Sequence, residues 1–197
     1  MRGKRTIGQY RTMDLAMFAV MLAVFESLVV IAARRWFPNE PYTVSVTPAI
    51  TAIVLMRWGP WAGLHAALGG AVFCMVSGAN AGQYAIYVLG NLLSLGALGL
   101  VKAYSPEGIR ESVLKSLLFG GCVVLLMQLG RAIIALISGA DPAAVPGFFT
   151  TDAITLLFTL VLIWIVRRLD GMFEEQRHYL HRLHAQEEEE RGGFYER

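Results

Sequence analysis

The stretch TPAITAIVLMRWGPWAGLHAALGGAVFCMVSG, residues 47–78, decides how the rest of the chain is read. It is apolar almost throughout, yet Arg57-Trp58-Gly59-Pro60 interrupts it. Pro60 cannot continue a helix that precedes it, because its ring removes a backbone donor and clashes with the turn before, but it can open a new one. The pattern predicts two apolar helices, Val44 to Met56 and Trp61 to Ser77, joined by a tight turn. Trp58 and Trp61 suit a headgroup layer, where amphipathic rings are favoured, and Arg57 suits the cytoplasmic side of a membrane.

Working outward, the whole composition agrees with a bilayer. Hydrophobic residues make up 55% of the 197 and charged residues 16%, against about 25% charged in an average soluble protein. The mean hydropathy is +0.51. A soluble chain of this length lacks the interior to hide so much apolar surface. The net charge of +2 leaves no basic footprint for nucleic acid. Cys74 and Cys122 sit inside apolar runs without a CxxC spacing, so packing is their expected role.

Crossing a bilayer as a helix takes about 17–25 residues. Besides the short Val44–Met56 arm and Trp61–Ser77, the candidates are Asp14 to Ala33, Gln83 to Val101, Val113 to Ile137 and Thr150 to Val166. The first follows Arg2, Lys4, Arg5 and Arg11, but it is too long for a signal peptide and has no clear cleavage site, so it reads as a retained span. With both termini cytoplasmic, 14 of the 17 lysines and arginines fall inside, Arg34 and Arg35 fall outside, and Arg131 lies within a span. The expected fold is an all-α integral membrane protein, a six-transmembrane-helix bundle over residues 1–168. Small residues four apart (Ala62, Ala66 and Gly70; Ala67 and Ala71; Ala19 and Ala23, with Ala16 close by; Gly90 and Ser94) would let these helices approach closely.

Six spans, a cytoplasmic amino end, a short second span reached through an extended segment, and GPWAGLHAALGG after it together resemble the substrate-binding S components of energy-coupling factor transporters. The resemblance covers residues 12–168. Gly59, Pro60 and Gly63 match the family's Gly-Pro turn and spaced glycines, whereas Ala67 stands where a glycine is frequent and a later acidic residue is absent. AVMLA, Ala19 to Ala23, is similar to the alanine motif by which such components dock on their coupling subunit, which marks Ala16, Ala19 and Ala23 as docking candidates. The resemblance implies a multi-pass protein of a prokaryotic cell membrane. It would bind a vitamin or related micronutrient at its outer side and deliver it to a transmembrane coupling subunit and two ATPase subunits. It implies neither an enzyme nor a cofactor. In agreement, the sequence lacks a GxxxxGK[ST] phosphate loop, an HExxH metal site and a GxSxG nucleophile turn.

Ionisable groups inside a membrane helix are costly and point to function. Glu26 lies in the first span, Tyr84, Tyr87 and Asn91 in the fourth just after Asn80, Gln128 and Arg131 in the fifth, and Asp152 opens the sixth near the surface. At about 1.5 Å per residue, Glu26, Tyr87, Asn91, Arg131 and Gln128 all come out about 6–13 Å below the outer helix ends. Polar groups converging in an apolar surround are what a ligand site requires. The ligand-binding candidates are therefore Glu26, Asn80, Tyr84, Tyr87, Asn91, Gln128 and Arg131. Arg131 needs compensation in such a place. Either Glu26 provides it permanently or a ligand with a negative group provides it on binding. The tyrosines fit either ring stacking or core packing.

The outer segment RRWFPNEPYTVSVT, residues 34–47, is an interfacial anchor by its aromatics and, by the resemblance, a lid over the site. His65, alone in its span, is expected to hydrogen-bond a neighbouring helix rather than a metal. After residue 168 the sixth helix is expected to run on as an amphipathic cytoplasmic tail, 169–197, ending in the solvated QEEEERGG. His178, His181 and His184 recur every three residues, which is a polar face or a weak metal signal. The competing function class is a membrane scaffold resembling small proteins of cell-shape machinery, which needs interfaces but no polar layer.

Overall fold

A computed structural model describes residues 6–40, 42–182 and 185, and every regular element among them is helical. The helices are α1 (Ile7–Trp36), α2 (Thr47–Trp58), α3 (Ala62–Ser77), α4 (Ala81–Asn91), α5 (Leu98–Tyr104), α6 (Pro106–Glu111), α7 (Val113–Ile137), α8 (Val145–Thr150) and α9 (Ala153–Val166). Tighter 3-10 turns fill Gly59–Trp61, Leu92–Ala97 and Pro142–Ala144. Five helical stretches are long and apolar enough to cross a bilayer: Ile7–Trp36, Thr47–Ser77, Ala81–Tyr104, Val113–Ile137 and Pro142–Val166.

Six expected spans thus correspond to five such stretches, and the difference lies in Thr47–Ser77. At Gly59, with φ +60°, the chain enters a conformation that an L side chain resists, and it folds back. Thr47, at the start of α2, then packs directly against Gly69 in α3. The 12 residues of α2 extend only about 18 Å, short of the roughly 30 Å hydrocarbon layer.

Local signals set most helix starts. Thr6 with Gln9 and Asn80 with Gln83 form reciprocal capping boxes at α1 and α4, and Ser112 caps α7. No side chain of its own caps α2. That helix is the axis of the molecule, with all its residues buried. It packs on α1, α3, α7 and α9, while α3 lies between α1 and α4, and α7 lies between α4 and α9. Small residues permit the tightest crossings. A side chain at Gly90 would lie 2.6 Å from the Arg131 backbone nitrogen, and one at Gly130 would collide with the Gly90 carbonyl, so α4 and α7 meet backbone to backbone. Ala62 and Ala66 are fully buried.

One end of the bundle carries residues 37–46 and is called the loop end; the other carries Gly59–Trp61 and is called the turn end. Arg57 sits at the turn end, but not as a solvated turn charge. It is 6% exposed, and its Nε and Nη2 donate to the Asp14 carboxylate at 2.8 and 2.7 Å. Trp58 Nε1 donates to the same carboxylate at 2.6 Å. Arg57 Nη1 donates to the Gly171 and Met172 carbonyls. Residues 169–176 correspondingly pack on the bundle. α9 ends at Val166 rather than continuing, residues 167–175 turn back, and Phe173 is buried edge-on against Phe119, ring centroids 6.0 Å apart. Arg110 pairs with Asp170 and Glu174, and Arg182 pairs with the same two acids.

Candidate functional site

Glu26 is fully buried on α1 and faces the uncapped start of α2. Its Oε2 accepts from the Val46 and Thr47 backbone N–H groups at 2.9 and 3.1 Å and from the Ser45 and Thr47 hydroxyls at 3.0 Å. A carboxylate supplied by another helix thereby accepts from the first donors of α2, of which the Thr47 N–H also reaches the Ser45 hydroxyl at 3.1 Å, and it meets the positive end of the helix dipole. Its other oxygen, Oε1, has no hydrogen-bond partner among the described residues.

Arg131 is not paired with Glu26. Its counter-ion is Asp152, 2.8 Å from Nη1, and both side chains are almost wholly buried, at 5% and 6% exposed. Asp152 was expected near the surface; it lies instead in the break between α8 and α9, where its side chain does not cap α9 and turns inward. Gln128 Nε2 and the Thr43 hydroxyl also donate to this carboxylate. Arg131 Nη1 donates to Gln128 Oε1 at 3.2 Å and Nε to Asn91 Oδ1 at 2.8 Å. The Asn91 amide in turn donates to the Ala66 carbonyl at 3.0 Å. The guanidinium lies 4.6 Å from the centre of the Tyr87 ring, close enough for a cation–π contact.

Four of the seven ligand candidates, Tyr87, Asn91, Gln128 and Arg131, therefore form one network. Glu26 forms a separate one, linked to the first by residues 43–47: Thr43 reaches Asp152, while Ser45 and Thr47 reach Glu26. Asn80 stands apart as the exposed cap of α4, and Tyr84, half-buried, makes no side-chain hydrogen bond or ring contact among the described residues. The docking candidates lie on α1, with Ala16 exposed and Ala19 and Ala23 half-buried. His65 Nε2 donates to the Leu15 carbonyl of α1 at 3.0 Å, as expected. His178 faces Glu107; His184 lies outside the described residues, and no metal-binding group of side chains occurs among those described.

Above the Arg131 network, at the loop end, is a cavity of about 340 Å³. Phe37, Glu40, Tyr42 and Thr43 of the connecting segment line it, with Val30 and Arg34 of α1 and Phe73 and Ser77 of α3. Phe73 stacks on Tyr87 with centroids 4.7 Å apart, and Thr43 reaches Asp152, so the cavity wall is mechanically joined to the buried ion pair. None of the seven ligand candidates lines it. Phe37, Glu40, Tyr42 and Thr43 of its wall lie in an irregular loop, where periodicity gives no direction to side chains. Trp36, Phe37 and Tyr42, on either side of Pro38 and Pro41, were the available signal. No protein-family model, no curated protein and no solved structure matches the chain.

Proposed function

We propose that the chain is the substrate-binding subunit of an energy-coupling factor type importer, taking a small micronutrient in the cavity at the loop end. In this reading the loop end faces outward, both termini are cytoplasmic, α2 and α3 enter and leave as a hairpin, and the bundle crosses the cell membrane of a prokaryote six times. The observation that carries the proposal is the cavity of about 340 Å³ walled by Arg34, Phe37, Glu40, Tyr42 and Thr43, a size within the roughly 300–1,000 Å³ range of small-molecule pockets. Arg34, Glu40, Tyr42 and Ser77 give it polar groups against the rings of Phe37 and Phe73. The α1 face with Ala16, Ala19 and Ala23 is the docking surface for the coupling subunit, which would act with two ATPase subunits.

The direct test is mass spectrometry of small molecules retained by the purified protein, beside the variant Ser77→Trp, which fills the cavity. One molecule retained by the wild type and lost from the variant is expected; identical retention sinks the cavity as the site. Replacing Ala19 and Ala23 together by Leu should abolish uptake in cells and leave binding by the isolated subunit intact, because contact in lipid depends on close approach.

A scaffold is the second reading, and one observation favours it. The charges of the polar layer are matched within the chain, Arg131 by Asp152 and Glu26 by the start of α2. The outcome that selects it is no retained molecule together with stable co-purification of a membrane partner.

A further inference from the structure

A further concavity lies away from the loop end. It is a groove of about 830 Å³ running along α7 between α5 and α9, walled by leucines such as Leu118, Leu125, Leu129 and Leu156. Its floor opens at Gly121, where an added side chain would meet nothing within 4 Å. Leu114 to Leu129, both on its wall, span about 22 Å of helix, more than the roughly 15 Å of one leaflet. A surface this apolar lies within the hydrocarbon layer of a chain that spans the bilayer.

The turn end of the groove is different. Tyr104 forms its rim, and the Lys115 ammonium lies 5.1 Å from the centre of that ring. Lys115 makes no ion pair among the described residues, and the neighbouring acid Glu107 faces His178. Arg167, at the end of α9, donates through Nη1 to the Arg110 and Glu111 carbonyls at 2.9 and 3.3 Å, beside the start of α7. Among the described residues it has no carboxylate partner, and its buried Nε has no hydrogen-bond partner. Lys115 thus stands beside the groove's Tyr104, and Arg167 follows Leu160 of its α9 wall by seven residues, about two turns, neither cation with a carboxylate partner among the described residues. Arg110, by contrast, is neutralised by Asp170 and Glu174.

We propose that the groove is a specific site for an anionic phospholipid, with its acyl chains along α7 over Gly121 and its phosphate between Lys115 and Arg167. The occupant follows from charge and geometry together. An apolar partner helix would leave both cations uncompensated, and a free phosphate would leave the groove unused. Basic groups at the edge of a helix bundle bind acidic headgroups for the same electrostatic reason. The proposal is independent of the importer reading and rests only on the chain spanning a bilayer.

The test is native mass spectrometry on the delipidated full chain in detergent, given equal dioleoyl phosphatidylglycerol and dioleoyl phosphatidylcholine. One retained lipid is expected, with about fivefold preference for the anionic one, the effect of one basic group near an acidic surface. Lys115→Gln should remove the preference and leave chain binding. Gly121→Phe, which fills the groove where there is room, should lose both lipids without lowering the unfolding temperature. If that variant does not fold, Leu125→Trp is read in its place. Equal retention of the two lipids by the wild type, or unchanged phosphatidylglycerol on a folded groove-filling variant, overturns the proposal. So does glycerol phosphate competing as well as the full lipid, which would make the site one for a free anion. A dimer that dissociates on Gly121→Phe overturns it in favour of a second copy of the chain.

Discussion

Arg131 shows how much one buried residue depends on a partner from another element. Its Nη1 is 2.8 Å from Asp152, 21 positions away, while Gln128, Asn91 and the Tyr87 ring occupy its remaining faces. Removing one member of a buried pair strands the other charge, at a cost of about 3–5 kcal/mol. Arg131→Met should therefore lower the unfolding temperature in detergent strongly, and Asp152→Asn in the same chain should recover much of the loss. Glu26→Gln should give no such recovery, because Glu26 is engaged by Ser45, Val46 and Thr47. A rescue by Glu26→Gln rather than Asp152→Asn would reverse this assignment.

Between elements, contact depends on where a Cβ is missing. α4 and α7 cross where Gly90 and Gly130 face each other. A methyl group at residue 130 would drive into the Gly90 carbonyl and part the two helices that carry Asn91 and Arg131. Gly130→Ala should destabilise the bundle by about 1–3 kcal/mol, the cost of overpacking. Gly121→Ala, on the same helix, has open space and should be neutral or stabilising by up to about 1 kcal/mol, since alanine is the better helix former. Equal unfolding midpoints for the two variants would show that the crossing is looser than described. The importance of this crossing is plain in the small-residue spacing around Gly90 and Ser94, but the sequence does not say that the opposing surface is Gly130.

At the scale of the molecule, the return at Gly59 brings both ends of the 47–77 stretch toward one side. Arg34 Nη1, at the loop end of α1, donates to the Val76 carbonyl of α3 at 2.9 Å. Single cysteines at Asn39 and Gly78, in a chain with Cys74 and Cys122 replaced by alanine, should react with an impermeant maleimide from the same side of sealed vesicles. A cysteine at Glu107 should react from the other side. Labelling of residues 39 and 78 from opposite sides would mean that Thr47–Ser77 crosses once, as a single span.

Composition and period were enough to establish helices long and apolar enough to cross a bilayer, because both depend on the local chain. The turn at Gly59-Pro60 was equally legible, since it follows from backbone sterics at two residues. So was the grouping of Tyr87, Asn91, Gln128 and Arg131 at one level, because a helix rises by a fixed step. What a fixed step does not give is azimuth or neighbour. Arg57 could be placed near a membrane face from its position, but its burial against Asp14 required α1 and α2 to be rotated toward each other. Asp152 looked superficial because it precedes a span, and only the break between α8 and α9 turned it onto Arg131. Phe173 looked like part of a departing amphipathic helix, and only the chain reversal after Val166 set it beside Phe119. Each of these outcomes was decided by which helix lies next to which, a property of close packing among small residues on several elements at once, and no single segment of sequence carries it.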